Sequence, residues 1–240
     1  LKSKLTSRPA PARLRRRLLV AGVVLGGSST AAPAIAQSAR PIDELLRAIR
    51  RDDANGVRTA LLRGADPNAR DQAGTPVIVL AAANTSWNAV RSLADLQATQ
   101  LDAANREGAT ALMYAALHGE RSVVEHLVGR KAAVNRTGWA PLHFAAANGH
   151  AEVIRFLLEQ HAYIDAESPN GTTPLMMAAR QGHPTAVQLL VAEGADPTPR
   201  NQAGLDAAGY ARAGGDAELA DWLTARAAAF RAKYGGGGAK

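Results

Sequence analysis

The 240-residue chain contains no cysteine, an absence that removes disulfides, thiolate metal sites, redox motifs and cysteine nucleophiles together. Aromatic residues make up only 4% of the chain against a hydrophobic share of 47%, so its core must be built from Ala, Leu and Val. Such a core suits closely packed helices better than sheets that need large cross-strand side chains. The compact signatures of common enzymes are missing too. There is no Gly-x-Ser-x-Gly elbow, no His-Glu-x-x-His helix, no glycine-rich dinucleotide loop after a strand and no calcium-type run of spaced carboxylates. The glycines ending at Lys240 have neither the spacing nor the following Ser or Thr of a phosphate loop. No catalytic residue, cofactor or metal ion is expected.

Positive charge is plentiful, with 28 Lys plus Arg against 21 Asp plus Glu and a net charge of +7. Its location decides its meaning. Lys2, Lys4, Arg8, Arg13, Arg15, Arg16 and Arg17 stand uncompensated in the first 36 residues; subtracting these seven from 28 leaves 21 basic residues against 21 acidic. The remaining body has no basic excess for phosphate binding, so nucleic acid is not an expected partner. The basic stretch is followed by an apolar run from Leu18 to Gly27 and then by Ala34-Ile35-Ala36. This layout predicts a secretory signal peptide over 1–36, cleavage after Ala36, a linker over 37–40 and a periplasmic or secreted mature protein. The apolar run falls well short of the roughly 20 residues that span a bilayer, so no stable membrane insertion is expected after cleavage. Arg15 and Arg16 ahead of Leu18 and Leu19 fit the twin-arginine route as well as the general one. The leader and the preference for Arg over Lys point to a bacterial source.

The body repeats itself. Gly171-Thr172-Thr173-Pro174-Leu175-Met176-Met177-Ala178-Ala179 lies 33 residues after Gly138-Trp139-Ala140-Pro141-Leu142-His143-Phe144-Ala145-Ala146, and the same step carries Gly149-His150 onto Gly182-His183. Gly108 to Ala116 opens an earlier unit, and Gly74-Thr75-Pro76 the one before it. Leu61-Leu62-Arg63-Gly64-Ala65-Asp66-Pro67-Asn68 closes a first unit with the pattern seen again at Val191 to Thr198. Local chemistry fits the period. Thr173 can cap a helix whose first turn begins at Pro174, a device that Thr75 and Pro76 repeat. Gly149 and Gly182 fall where that helix must reverse. Val153, Ile154, Leu157 and Leu158 recur at helical spacing and form one apolar stripe. No single unit can bury its stripe alone, so stability must come from stacking on neighbours.

On these motifs the chain resembles ankyrin-repeat proteins over about residues 41–234. The resemblance implies an all-α solenoid of about six helix-turn-helix units near 41–73, 74–107, 108–137, 138–170, 171–203 and 204–234, ahead of a Gly-rich tail at 235–240. The terminal units are degenerate and read as caps. The step from Gly108 to Gly138 is three residues short, so the connection through Asn135, Arg136 and Thr137 should project less. Asn84 to Asn88 replaces the usual Gly-His reversal.

The family resemblance further implies a protein-binding module that uses its loop tips and a concave face of first helices, and it is expected to be monomeric. The matching tip positions are Asn68, Arg70 and Asp71; Asn105, Arg106 and Glu107; Arg136; Glu167 and Asn170; and Arg200 and Asn201. Trp139 holds the variable slot between the glycine and the helix start. Two roles fit a large aromatic there: anchoring a partner, as interface tryptophans do, or folding over the short connection to fill its missing space. His118, Asn148, Arg180 and Gln181 are expected to flank it on neighbouring first helices. The same surface would serve a secreted effector engaging a host or foreign protein. A metal-dependent accessory enzyme would need a third ligand beside His150 and His183, and the repeat places none.

Overall fold

A computed structural model describes residues 40–234 as twelve helices with, among those residues, no strand. The predicted leader with its cleavage site and the tail at 235–240 lie outside the described residues. The helices come in pairs. The first helices are α1 (Pro41–Arg50), α3 (Val77–Ala83), α5 (Ala111–Leu117), α7 (Pro141–Ala147), α9 (Pro174–Arg180) and α11 (Ala207–Ala213). The second are α2 (Ala54–Leu62), α4 (Trp87–Ala94), α6 (Arg121–Gly129), α8 (Ala151–Glu159), α10 (Pro184–Ala192) and α12 (Ala217–Tyr234). Successive first helices pack on one another from α1 to α11, and successive second helices from α2 to α10. This is the all-α repeat solenoid expected from the sequence.

One apolar core runs through the stack. Alanine pairs at Ala81-Ala82, Ala115-Ala116, Ala145-Ala146 and Ala178-Ala179 are buried between first helices, where small side chains let the helices approach closely. Leu93, Leu127, Leu157 and Leu190 stand on the second helices and are fully buried in the same core. Each contributes about 1.5–3 kcal/mol by leaving water, which compensates for helices that, from α2 to α11, have only seven to nine residues and would not persist alone.

Three of the six first helices start on a side-chain cap. The hydroxyls of Thr110 and Thr173 accept from the N–H groups of Met113 and Met176, and the Asp206 carboxylate accepts from Gly209 N–H at 2.8 Å. The Thr75-Pro76 pair does not repeat the device, and this expectation is corrected: Pro76 itself takes the capping position, with α3 beginning at Val77. Gly74 aligns with Gly171, so Pro76 aligns with Thr173 rather than Pro174, and a proline has no side-chain acceptor to offer. Unit four solves the same problem differently. Ala140 has no hydroxyl, and the buried His143 ring accepts its N–H through Nδ1 at 3.1 Å.

The reversal after each first helix needs positive φ. Gly119 and Gly149 adopt φ values of 70°, and each also lies against the histidine that opens the following unit's second helix. A Cβ at Gly119 would fall 2.5 Å from His150 Nδ1, and one at Gly149 would fall 2.8 Å from His183 Cγ. His150 Nε2 lies 2.9 Å from the Leu117 carbonyl, so this histidine links two units. In unit two the position belongs to Thr85, at φ 55°. Asp52 then supplies a missing cap, accepting from Ala89 N–H at 2.9 Å and Asn88 Nδ2 at 2.8 Å across to α4.

Candidate functional site

From α3 to α11, each first helix places one large side chain on its open face, four residues after the capping position. Those residues are Leu80, Tyr114, Phe144, Met177 and Tyr210, and all are partly buried. They form a strip along α3, α5, α7, α9 and α11. Around its middle lies a cavity of about 430 Å³ lined by Asn105, Glu107, Ala109, Met113, Tyr114, Leu117, Trp139, Phe144 and Met177. Trp139 meets His143 edge-on with ring centroids 5.2 Å apart and packs on Phe144 at 6.1 Å. Trp139 thus packs on two residues of α7 and lines the cavity. Aromatic pairs of this kind are worth about 0.5–1.5 kcal/mol each beyond burial.

The four flanking positions do not join this cavity. His118 sits at the end of α5 and meets the edge of Trp87 at 5.7 Å. Asn148 donates through Nδ2 to the Leu117 carbonyl at 2.8 Å. The Arg180 guanidinium lies over the Tyr210 ring at 5.9 Å, and Gln181 is exposed at the end of α9. The walls are set one turn earlier, by Tyr114, Phe144 and Met177. Their signal was present in the sequence, in the variable slot before each Ala-Ala pair, and the family motif draws attention away from it.

Several polar tip positions are committed to the scaffold. Asn68 accepts Gln100 N–H and donates to the Ala98 carbonyl, both at 2.8 Å. Asn135 makes the same pair of bonds with Tyr163 N–H and the His161 carbonyl. Asp102 and Asp165 occupy the equivalent place and accept from Ala133 N–H at 2.8 Å and Asp196 N–H at 3.0 Å. This ladder joins consecutive units. Asp71 accepts from Ala73 and Thr75 N–H, and Asn105 from Ala109 N–H, bracing their own turns. Asn201 is buried, donates to Tyr210 Oη at 2.6 Å and accepts from Ala203 and Leu205 N–H.

Arginines of the tips reach neighbouring backbone. Arg70 donates to the Gly74 carbonyl at 2.7 Å, Arg136 to the Asp102 carbonyl at 3.0 Å and Arg200 to the Gly204 carbonyl at 3.3 Å. The Arg106 guanidinium lies over Gly74 of the preceding tip. Asn170 accepts from the Ser168 hydroxyl at 2.6 Å, and Glu167 is exposed. Of the tip residues, only Asn105 and Glu107 line the cavity. The buried His143 and the half-buried Asp165 are shifted from their ordinary ionisation. Burial lowers the pKa of His143, and burial, opposed by the Asp196 N–H and reinforced by the Asp196 charge, raises that of Asp165. Among the described residues no three His, Asp or Glu side chains converge as metal ligands, and no helix is long and apolar enough to cross a membrane.

Stacked helix pairs with an open strip of large side chains define a class: a helical repeat scaffold that presents a surface. The family model for ankyrin repeats (3 copies) matches residues 45–137 and 122–201. The chain belongs to the ankyrin-repeat family. No curated protein matches it.

Proposed function

We propose that the chain is an exported protein-protein interaction module that holds its partner in the groove formed by Tyr114, Leu117, Trp139, Phe144 and Met177. Ankyrin repeats imply protein binding; the observation that carries the choice of surface is the aromatic and methionine-lined cavity of about 430 Å³ on the first-helix face. Aromatic side chains in a desolvated pocket are the kind of group that dominates interface energy. Export to the periplasm or beyond rests on the leader layout at 1–36 alone. Neither catalysis nor a cofactor enters this reading.

The test is a crosslinking pulldown of the tagged chain from the envelope fraction of its native cells, with Trp139→Ala as control. Selective loss of one crosslinked protein in the variant, with helical content and melting nearly intact, supports the reading. Equal capture by both forms would show that the groove is not the binding surface.

A further inference from the structure

The groove differs from the rest of its strip in one respect. At the C-terminal end the strip residue Tyr210 is covered from within the chain, by the Arg180 guanidinium of the preceding unit 5.9 Å from the ring centroid. Arg180 is the last residue of α9. The last residues of α3 and α5 are Ala83 and Leu117, so the equivalent position beside Tyr114 and Phe144 carries no cation. No Lys or Arg lines the cavity at all, whereas Glu107 does. Among the described residues Glu107 enters no ion pair, and its neighbour Arg106 turns over Gly74.

Resting on the groove as docking surface, we propose that its occupant is an arginine side chain of the partner, with the guanidinium over the Tyr114 and Phe144 rings and paired with Glu107. Three properties converge on that chemistry. Aromatic faces attract a cation through their quadrupole, arginine more often than lysine because its plane stacks on a ring. The single charged group of the lining is a carboxylate, which a guanidinium matches. Thirdly, the molecule already uses this pairing on the same strip, at Arg180 and Tyr210. The methionine and leucine side chains of the lining suit the apolar stem of an arginine.

The experiment titrates the full chain with the blocked pentapeptide acetyl-Gly-Gly-Arg-Gly-Gly-amide at millimolar concentration and follows the Trp139 indole N–H and Met177 methyl resonances. Both are expected to move. The peptide carrying citrulline, which has the same shape without the charge, is expected to bind at least about fivefold more weakly. Glu107→Gln, a change at an exposed tip, should weaken the arginine peptide and leave a norleucine peptide unaffected. Norleucine binding as tightly as arginine would overturn the assignment while the groove stood as a docking surface. If no peptide moves either resonance, the assignment falls; capture still lost in Trp139→Ala would keep the groove, and capture retained would remove both. A Trp139 resonance that shifts on deletion of residues 1–36, with no peptide added, would place the chain's own arginines in the groove and overturn the partner assignment.

Discussion

The carboxylate of Asp165 accepts the backbone N–H of Asp196 at 3.0 Å, the last of four such links between successive units. At the first and third links an asparagine stands instead, and its amide also donates to a carbonyl two residues earlier. A carboxylate cannot make that second bond. Burial raises the Asp165 pKa, so its charged form is disfavoured in the folded state and the penalty grows as pH rises through the folded pKa. Asp165→Asn should therefore stabilise the protein by about 0.5–1.5 kcal/mol at pH 7, chiefly by donating to the Gly194 carbonyl and also by removing a half-buried charge. Urea unfolding of both forms measures it; an unchanged or lower midpoint contradicts the ladder.

A second prediction concerns acid. The buried His143 ring accepts Ala140 N–H at Nδ1 and lies 3.0 Å from the Thr172 carbonyl through Nε2, which fixes the proton on Nε2. A second proton would sit on Nδ1, facing an N–H donor. Burial lowers the folded pKa below the unfolded value of about 6.5. The neutral ring's contribution is therefore complete above that unfolded value and declines as pH falls toward the folded one. Stability measured at pH 7.5, 6.0 and 5.0 should decrease, and the decrease should shrink in His143→Gln. The same slope in both proteins would place the proton uptake elsewhere.

A third follows from Thr85, a β-branched residue at φ 55° in a position that Gly119, Gly149 and Gly182 fill elsewhere. Left-handed backbone costs a residue with a branched Cβ more than glycine's extra unfolded entropy. Thr85→Gly should raise stability by about 1 kcal/mol, read from chemical unfolding. Destabilisation would mean that the exposed Thr85 hydroxyl, which donates to the Asn84 carbonyl, matters more than the strain.

The fold was legible because its determinants are local and repeated. Thr173, Gly149 and the Leu157 stripe each announce their role through chemistry that needs no partner outside two adjacent units. Thr75-Pro76 misled because a one-residue shift against the glycine moves the proline from the first turn to the cap, and spacing to Gly74 alone reveals it. The site was less legible. Trp139 stands out as a large residue in a variable slot, but Asn68 looks like any exposed loop amide until the next unit's backbone is placed beside it, and Asn201 until the Tyr210 hydroxyl is. Tyr114, Phe144 and Met177 become a wall only when three helices, far apart in sequence, align their open faces.

If the first-helix groove holds the partner, as proposed, substitutions there and elsewhere must differ in effect. Once that protein is identified by crosslinking, its affinity for the purified chain should be compared with Phe144→Ala in the groove and Arg155→Ala on α8, which is not among the groove residues. Loss of at least about 2 kcal/mol of binding in Phe144→Ala, with Arg155→Ala unchanged and both variants folded, is the predicted result. Unchanged affinity in a folded Phe144→Ala protein would contradict it.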